Sequence, residues 1–183
     1  RSDAHLARYE LARQQLKPGM VVLDAACGLG YGSATMAAGT GLTRVIGVDC
    51  SEWAVDYARA NFASVTPHLE FHSGDATKLV FLADASVDAV VSFETLEHLP
   101  NPNVLLREFA RVLKPGGLFI GSVPNLWIDE KGYCYLNGCK QNGGGPIILD
   151  VFSTPGQPQF VGYTPPTYAH DCFAENDMLY SAE

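Results

Sequence analysis

The 183-residue sequence has no run of about 18 uninterrupted apolar residues, so we expect no membrane-spanning helix. It is also poor in basic residues, with 12 Lys and Arg against 20 Asp and Glu and a formal net charge of −8. Nucleic-acid binding needs a basic face that displaces counterions from phosphates. The charge balance therefore argues against a general nucleic-acid binder.

Cysteine is scarce and odd in number, with five residues. This count favours reduced thiols in a cytoplasmic protein over a disulfide framework, and no signal-peptide pattern opens the chain. Cys134 and Cys139 have no second pair nearby, which argues against a zinc site. The chain starts at Arg1 without a methionine, as a fragment or a trimmed chain would.

Residues 1–126 alternate short apolar runs with longer helical patterns. The apolar runs predict strands at residues 20–23, 44–48, 69–72, 87–92 and 118–123. Helical spacing predicts helices at residues 3–16, at 53–62 and from Pro102 to a stop at 114–117, with Trp53 in the core. Alternating strands and helices predict an α/β fold with a doubly wound, mostly parallel sheet, whose ligand site lies beyond the carboxyl ends of the strands.

Residues 127–183 have a different composition, with seven glycines and five prolines. We therefore divide the chain into a core at 1–126 and a C-terminal segment at 127–183, irregular or incomplete, that covers the acceptor side. Residues 147–152 and 159–163 are candidates for an antiparallel strand pair joined by 153–158. If such strands do not complete the main sheet, its exposed edge favours a homodimer.

The first predicted strand ends in a glycine-rich turn, DAACGLGYGS at residues 24–33. Glycines permit positive φ and let a ligand lie against the backbone, while the next helix presents free N–H groups. Asp49 ends the second strand and can accept hydrogen bonds from a ribose diol. Loop glycines plus a helix-capping Asp remain the structural alternative. Ser33 replaces the last glycine of the dinucleotide pattern Gly-x-Gly-x-x-Gly, which speaks against a nicotinamide-dependent oxidoreductase.

Four segments in order resemble the motifs of the class I S-adenosylmethionine-dependent methyltransferases, small-molecule type. They are LDAACGLG at 23–30, VIGVDCS at 45–51, GDA at 74–76 and VLKPGGL at 112–118. The resemblance implies a Rossmann-like methyltransferase fold, S-adenosylmethionine as cofactor, and methyl transfer to a small-molecule acceptor by direct displacement. A non-catalytic module that binds a nucleoside cofactor is the other alternative, and the sequence does not identify the acceptor.

The resemblance also implies roles for individual residues. Asp24 would orient the methionine amino group, Asp49 would hold the ribose hydroxyls, and Asp75 would accept from the adenine amino group. Tyr31 and Tyr9 are candidates to close over the methionine end. The full predicted cofactor-binding set is Asp24, Ala26, Gly28, Gly30, Asp49, Cys50, Asp75, Ala76 and Phe93.

The stretch SFETLEHLP at residues 92–100 follows the fourth strand, where the acceptor should approach. Its Glu-x-x-Glu-His pattern resembles one frequent in small-molecule methyltransferases, and His98 is the candidate catalytic base for an acceptor hydroxyl. The competing and favoured interpretation is that His98 and Glu97 brace the turn before Pro100. A similar motif binds metal in small-RNA 2′-O-methyltransferases, but His170 is the only later histidine, and we predict no metal.

Overall fold

The computed structural model describes residues 2–123, 126–128, 133–136, 147–150, 159–163, 171–175 and 178–182. The chain divides into two compact units, of which the first comprises Arg1–Ser92 and Arg111–Ile120. The second comprises Phe93–Ala110 and Gly121–Glu183. The division at residue 126 that we expect from composition stays a prediction.

A five-stranded sheet contains β1 (Val21–Ala25), β2 (Arg44–Asp49), β3 (Leu69–Ser73), β4 (Val87–Phe93) and β5 (Leu113–Ser122) in the order β3-β2-β1-β4-β5. β1 pairs in parallel with both β2 and β4, and β2 pairs in parallel with β3. The strand order therefore reverses beside β1, and this switch point is where open α/β sheets bind ligands. The doubly wound, mostly parallel sheet predicted from the sequence is confirmed.

The central strands β1 and β2 form because their side chains are buried on both faces. In β1, all residues from Val22 to Ala25 are buried, and in β2 the same holds from Val45 to Val48. Continuous burial of β-branched residues is typical of strands covered by helices on both sides. The helices are α1 (Ser2–Gln15), α2 (Tyr31–Ala37), α3 (Glu52–Phe62) and α4 (Pro102–Val112), with a short 3₁₀ turn at Leu96–His98.

Helix α3 begins as the sequence predicts but turns a different face to the core. The Ser51 hydroxyl accepts a hydrogen bond from the backbone N–H of Ala54 and caps the helix. The buried positions are the small side chains Ala54, Val55 and Ala58, whereas Trp53 is 71% exposed. The expectation that Trp53 lies in the core is wrong, because the buried face of α3 is formed by small residues. These small residues give a weaker hydrophobic signal in the sequence than Trp53 does.

Strand β5 begins earlier than expected. Helix α4 ends at Val112, but the strand starts directly at Leu113, so residues 114–117 belong to the strand instead of a separate turn. Pro115 cannot continue a helix, and Gly116 takes a positive φ of 77° inside the strand. The chain thus passes from helix to strand without an intervening loop.

The C-terminal residues form two further sheets. Strands β6 (Leu126–Ile128), β7 (Tyr133–Leu136), β8 (Ile147–Asp150) and β9 (Gln159–Tyr163) pair in that order, all antiparallel. The predicted antiparallel pair is therefore present as β8 and β9, but it joins this sheet and not the five-stranded one. Its expected linker at 153–158, and the predicted strand residues Val151 and Phe152, lie outside the described residues. β10 (Asp171–Glu175) and β11 (Met178–Ala182) form a hairpin that the sequence did not suggest.

In the part of the chain that the structure describes, no helix combines the length and apolar character needed to cross a bilayer.

Candidate cofactor and acceptor sites

The glycine-rich turn and the end of β2 meet directly. The backbone N–H of Gly28 donates a hydrogen bond to Asp49 Oδ2 at 2.8 Å. The backbone N–H of Cys27 donates to the carbonyl of Val48 at 2.9 Å, and that of Ser51 donates to Asp49 Oδ1 at 2.9 Å. The two features that predict a nucleoside site, which are 21 residues apart in sequence, are therefore neighbours at the carboxyl edge of the sheet.

The turn after β1 has the left-handed backbone that its glycines suggest. Ala26, Gly28 and Gly30 have φ values of 62°, 54° and 83°. A Cβ at Gly28 would meet nothing within 4 Å, whereas one at Gly30 would lie 2.5 Å from the Ala58 Cβ and 2.7 Å from the Phe71 ring. Gly28 thus leaves open space beside bare backbone, and Gly30 allows α2 to begin in close contact with its neighbours.

The GDA segment lies at the same edge of the sheet. The backbone N–H of Gly74 donates to the carbonyl oxygen of Asp49 at 2.9 Å. Asp75 is exposed, and its Oδ1 accepts hydrogen bonds from the Thr77 N–H and hydroxyl at 2.8 and 2.7 Å. These bonds orient the Asp75 carboxylate and leave its Oδ2 available. Cys50 is exposed and Ala76 is half-buried.

Asp24 is fully buried in β1 and is held by two hydroxyl groups. Tyr9 Oη, from α1, donates to Asp24 Oδ1 at 3.2 Å, and Ser33 Oγ, from α2, donates to Oδ2 at 2.5 Å. Burial raises the pKa of Asp24 to about 7; the hydroxyls of Ser33 and Tyr9 lower it, and the nearby charge of Asp49 raises it. A carboxyl in this setting changes its charge near neutral pH.

A second layer of aromatic residues lies around this cluster. The hydroxyl of Tyr31 and His5 Nδ1 are 2.5 Å apart and share a hydrogen bond. The rings of His5, Tyr9 and Tyr31 contact one another edge to face, with centroids 5.6 to 6.0 Å apart. The hydrogen bonds of Ser33 and His5 were not predictable, since a hydroxyl or a ring nitrogen gives no sign of its partner in the sequence.

Phe93, which is predicted to bind the cofactor, and the Glu-x-x-Glu-His residues Glu94, Glu97 and His98 belong to the second unit. Phe93 is buried, and Glu94 takes a positive φ of 53°. The Glu94 Oε1 accepts a hydrogen bond from the Ser122 hydroxyl, and the Glu94 N–H donates to the Ser122 carbonyl, both at 2.8 Å. These bonds fix the turn that follows β4.

The two remaining residues of the Glu-x-x-Glu-His pattern differ sharply in exposure. The Glu97 side chain is 4% exposed, whereas that of His98 is 62% exposed, and His98 Nε2 lies 3.6 Å from Glu97 Oε1. The arrangement gives an imidazole open to solvent beside a buried carboxylate.

Across the described residues, no group of three or more His, Cys, Asp or Glu side chains has an arrangement that could hold a metal ion. His170, the later histidine considered for such a site, lies outside the described residues.

A doubly wound sheet with a glycine turn against a strand-end carboxylate defines a nucleoside-binding α/β protein. A family model described as a methyltransferase domain matches residues 23–121, which is more than half of the chain. The chain therefore belongs to the S-adenosylmethionine-dependent methyltransferase family.

Three individual proteins illustrate the similarity. A probable S-adenosylmethionine-dependent methyltransferase of Mycolicibacterium smegmatis is 40% identical over 121 residues, covering 64% of this chain and 44% of that protein. A sterol 24-C-methyltransferase of Gibberella zeae is 38% identical over 122 residues, covering 64% and 32%. A chain from the solved complex between the Haloferax volcanii Trm112 methyltransferase activator and a methyltransferase is 36% identical, with a TM-score of 0.59, covering 69% and 54%. This chain spans less than half the length of the two curated relatives.

Proposed function

We propose that this chain binds S-adenosylmethionine at the carboxyl edge of β1 and β2 and catalyses methyl transfer to a small-molecule acceptor. The observation that carries the proposal is the junction of Gly28 with Asp49, because it places a carboxylate beside backbone that faces open space, and a nucleoside needs both.

The residues present fit this cofactor. Each carboxylate oxygen of Asp49 accepts one backbone hydrogen bond and retains acceptor capacity for a ribose diol. The turn at residues 23–33 contains no Lys or Arg, and the cofactor has no phosphate that would need one. When bound, S-adenosylmethionine supplies a methyl group already activated by its sulfonium.

We also propose roles for the other predicted residues. Asp75, through the carboxylate oxygen that Thr77 leaves available, would accept from the adenine amino group, with Cys50 and Ala76 beside the ring. Gly28, Ala26 and the backbone of Gly30 would line the ribose and methionine, and Phe93 would lie near the methionine portion. Asp24 would orient the amino group without contacting it, since its carboxyl is fully buried.

The protein's contribution to transfer is alignment and exclusion of water, together with proton removal where the acceptor is a hydroxyl. His98 is the candidate base, because its imidazole is exposed and has a carboxylate at 3.6 Å that can orient it. A small-molecule acceptor is supported by the net charge of −8, which disfavours nucleic acid, and by the similarity to a sterol methyltransferase.

Titration calorimetry with S-adenosylhomocysteine tests the cofactor assignment. Micromolar binding would support it, and no heat of binding at millimolar ligand would overturn it. A parallel fluorescence titration with NADH separates it from a nicotinamide-dependent oxidoreductase, which would bind NADH and not S-adenosylhomocysteine.

A second function, cofactor binding without methyl transfer, is favoured by one observation. β8 and β9 pair within a separate sheet, whereas the resemblance suggests that such strands complete the main sheet. Binding of S-adenosylhomocysteine together with no methylation in a broad panel of small acceptors would support this function.

The same observation bears on oligomeric state. In the described part of the chain, β5 is the last strand at its end of the main sheet, and Phe119 on it is 39% exposed. An exposed strand edge favours pairing with a second copy, and we propose a homodimer. Light scattering coupled to size-exclusion chromatography tests the oligomeric state. A monomer at about 100 μM, on the order of the concentration where weak dimers form, would exclude the homodimer.

A further inference from the structure

The hydrogen-bonded environment of Asp24 has a consequence for how the cofactor binds. A carboxyl that is fully buried is costly to charge, and proteins offset this cost by placing donors around it. Here the two donors come from different elements, Tyr9 from α1 and Ser33 from α2, and each satisfies a separate carboxylate oxygen. Two donors of this kind serve the charged form of the acid.

We propose that Tyr9 and Ser33 are positioning residues that hold Asp24 ready to lose its proton when the cationic amino group of the cofactor's methionine portion arrives. This inference rests on the proposed function. The step breaks the O–H bond of the Asp24 carboxyl, leaves the electron pair on the carboxylate, and releases the proton to bulk water. The charge pair gained is a carboxylate and an ammonium.

The groups that face Asp24 make it the titrating member of the cluster. Burial raises the pKa of Tyr9 and of the Cys27 thiol, so both stay neutral at pH 7. Burial and the charge of Asp24 also raise the pKa of Tyr31, which is hydrogen-bonded to His5. Asp49 is the charged neighbour that opposes ionisation.

Because the pKa of Asp24 is raised to about 7, a nearby positive charge is enough to change its protonation at neutral pH.

Gly32 makes this arrangement possible. A Cβ at position 32 would lie 2.1 Å from the Tyr9 Cζ and 2.2 to 2.4 Å from two further ring atoms. The ring of Tyr9 therefore occupies the space of the missing side chain, and its hydroxyl reaches Asp24 only because residue 32 is a glycine. This contact assigns α1 an indirect part in the cofactor site, because Tyr9 acts through Asp24.

The test is calorimetric titration of the full chain with S-adenosylhomocysteine at pH 7 in two buffers of different ionisation enthalpy. The expected result is release of about half a proton per ligand, the amount set by a carboxyl with pKa about 7. The control ligand is 5′-methylthioadenosine, which has no amino-acid portion and is expected to release no proton.

Tyr9→Phe keeps the ring over Gly32 and removes the hydroxyl. We expect it to weaken S-adenosylhomocysteine binding about tenfold to a hundredfold at pH 7, the scale of one hydrogen bond to a charged group. Proton release should increase, since loss of the donor raises the pKa of Asp24 further, and methylthioadenosine affinity should not change. Ser33→Ala should act in the same direction, and it serves as the test if Tyr9→Phe does not fold. Tyr57→Phe, on the exposed face of α3, is the matched control.

The outcomes separate this inference from the proposed function. If the wild-type chain does not bind S-adenosylhomocysteine, the proposed function fails. If it binds without proton release, and Tyr9→Phe and Ser33→Ala bind with wild-type affinity, the positioning role is overturned while the proposed function stands.

Discussion

The backbone N–H of Gly28 donates a 2.8 Å hydrogen bond to the carboxylate of Asp49, and this bond joins the first turn of the fold to the end of its second strand. Removing the carboxylate affects both the turn and the proposed ribose contact. We expect Asp49→Ala to weaken S-adenosylhomocysteine binding by about 1–3 kcal/mol, the cost of lost charge-assisted hydrogen bonds. Titration calorimetry measures this loss of affinity, and Asp56→Ala on the exposed surface of α3 is the matched control. An unchanged affinity in Asp49→Ala would remove the ribose assignment.

The pH dependence of stability provides a test of Asp24 that needs no ligand. Its pKa rises from an ordinary value of 3.8 to about 7 on folding, so between these values the folded chain holds a proton that the unfolded chain has lost. The free energy of unfolding should therefore fall as the pH rises from 5 to 7. Over the whole interval from pH 3.8 to pH 7, the decrease should reach up to about 4 kcal/mol. Asp24→Asn should remove this slope.

Urea denaturation of both proteins at pH 5 and pH 8 measures the difference. Glu70 and Asp88 have lowered pKa values, so their contributions are lost only as pH falls through the acid range and do not disturb this window. Equal slopes for wild type and Asp24→Asn would show that Asp24 is already charged at pH 5.

The fit of Tyr9 over Gly32 predicts a coupled pair of substitutions. Gly32→Ala should destabilise the chain by about 1–3 kcal/mol, because the new methyl group displaces a buried ring. Adding Tyr9→Ala opens that space, so the double variant should be more stable than the two single effects predict when summed. Thermal unfolding measures all four proteins of the cycle. Strict additivity would mean that the ring and residue 32 do not meet.

Substitution of His98 distinguishes a catalytic role of this residue from a structural role in the turn before Pro100. If it removes a proton from an acceptor hydroxyl, His98→Gln should lower kcat/KM by about 10²–10⁴ while S-adenosylhomocysteine affinity is unchanged. If it braces the turn through Glu97, the same variant should lower the melting temperature and leave turnover of an acceptor nearly intact. His68→Gln, which changes an exposed histidine of the first unit, is the control for both measurements.

The strands of the main sheet were predictable because their sequence signal is strong. β1 to β4 lie within one or two residues of the predicted runs. In β1, β2 and β4, β-branched residues buried on both faces give continuous apolar stretches. The start of β5 was not predictable, because Pro115 and the glycines after it normally indicate a turn. Pairing with the neighbouring strand overrides that local preference.

The site was predictable in its motifs and not in its contacts. The glycine turn and Asp49 could be paired from sequence because parallel strands end at the same edge. The bond from Tyr9 to Asp24 spans 15 residues and depends on how α1 packs, which no local pattern encodes. The prediction for Trp53 was wrong for the opposite reason. Its size suggested burial, but the packed face of α3 is formed by alanines and a valine.

The first compact unit is assembled from two separated stretches, Arg1–Ser92 and Arg111–Ile120. During synthesis, the ribosome must therefore pass Ile120 before the whole of the first unit exists. Until then β4, whose residues from Ala89 to Phe93 are buried in the finished protein, is an apolar strand without its outer neighbour. A chain terminated near Ser92 should consequently aggregate and not persist as a smaller folded fragment.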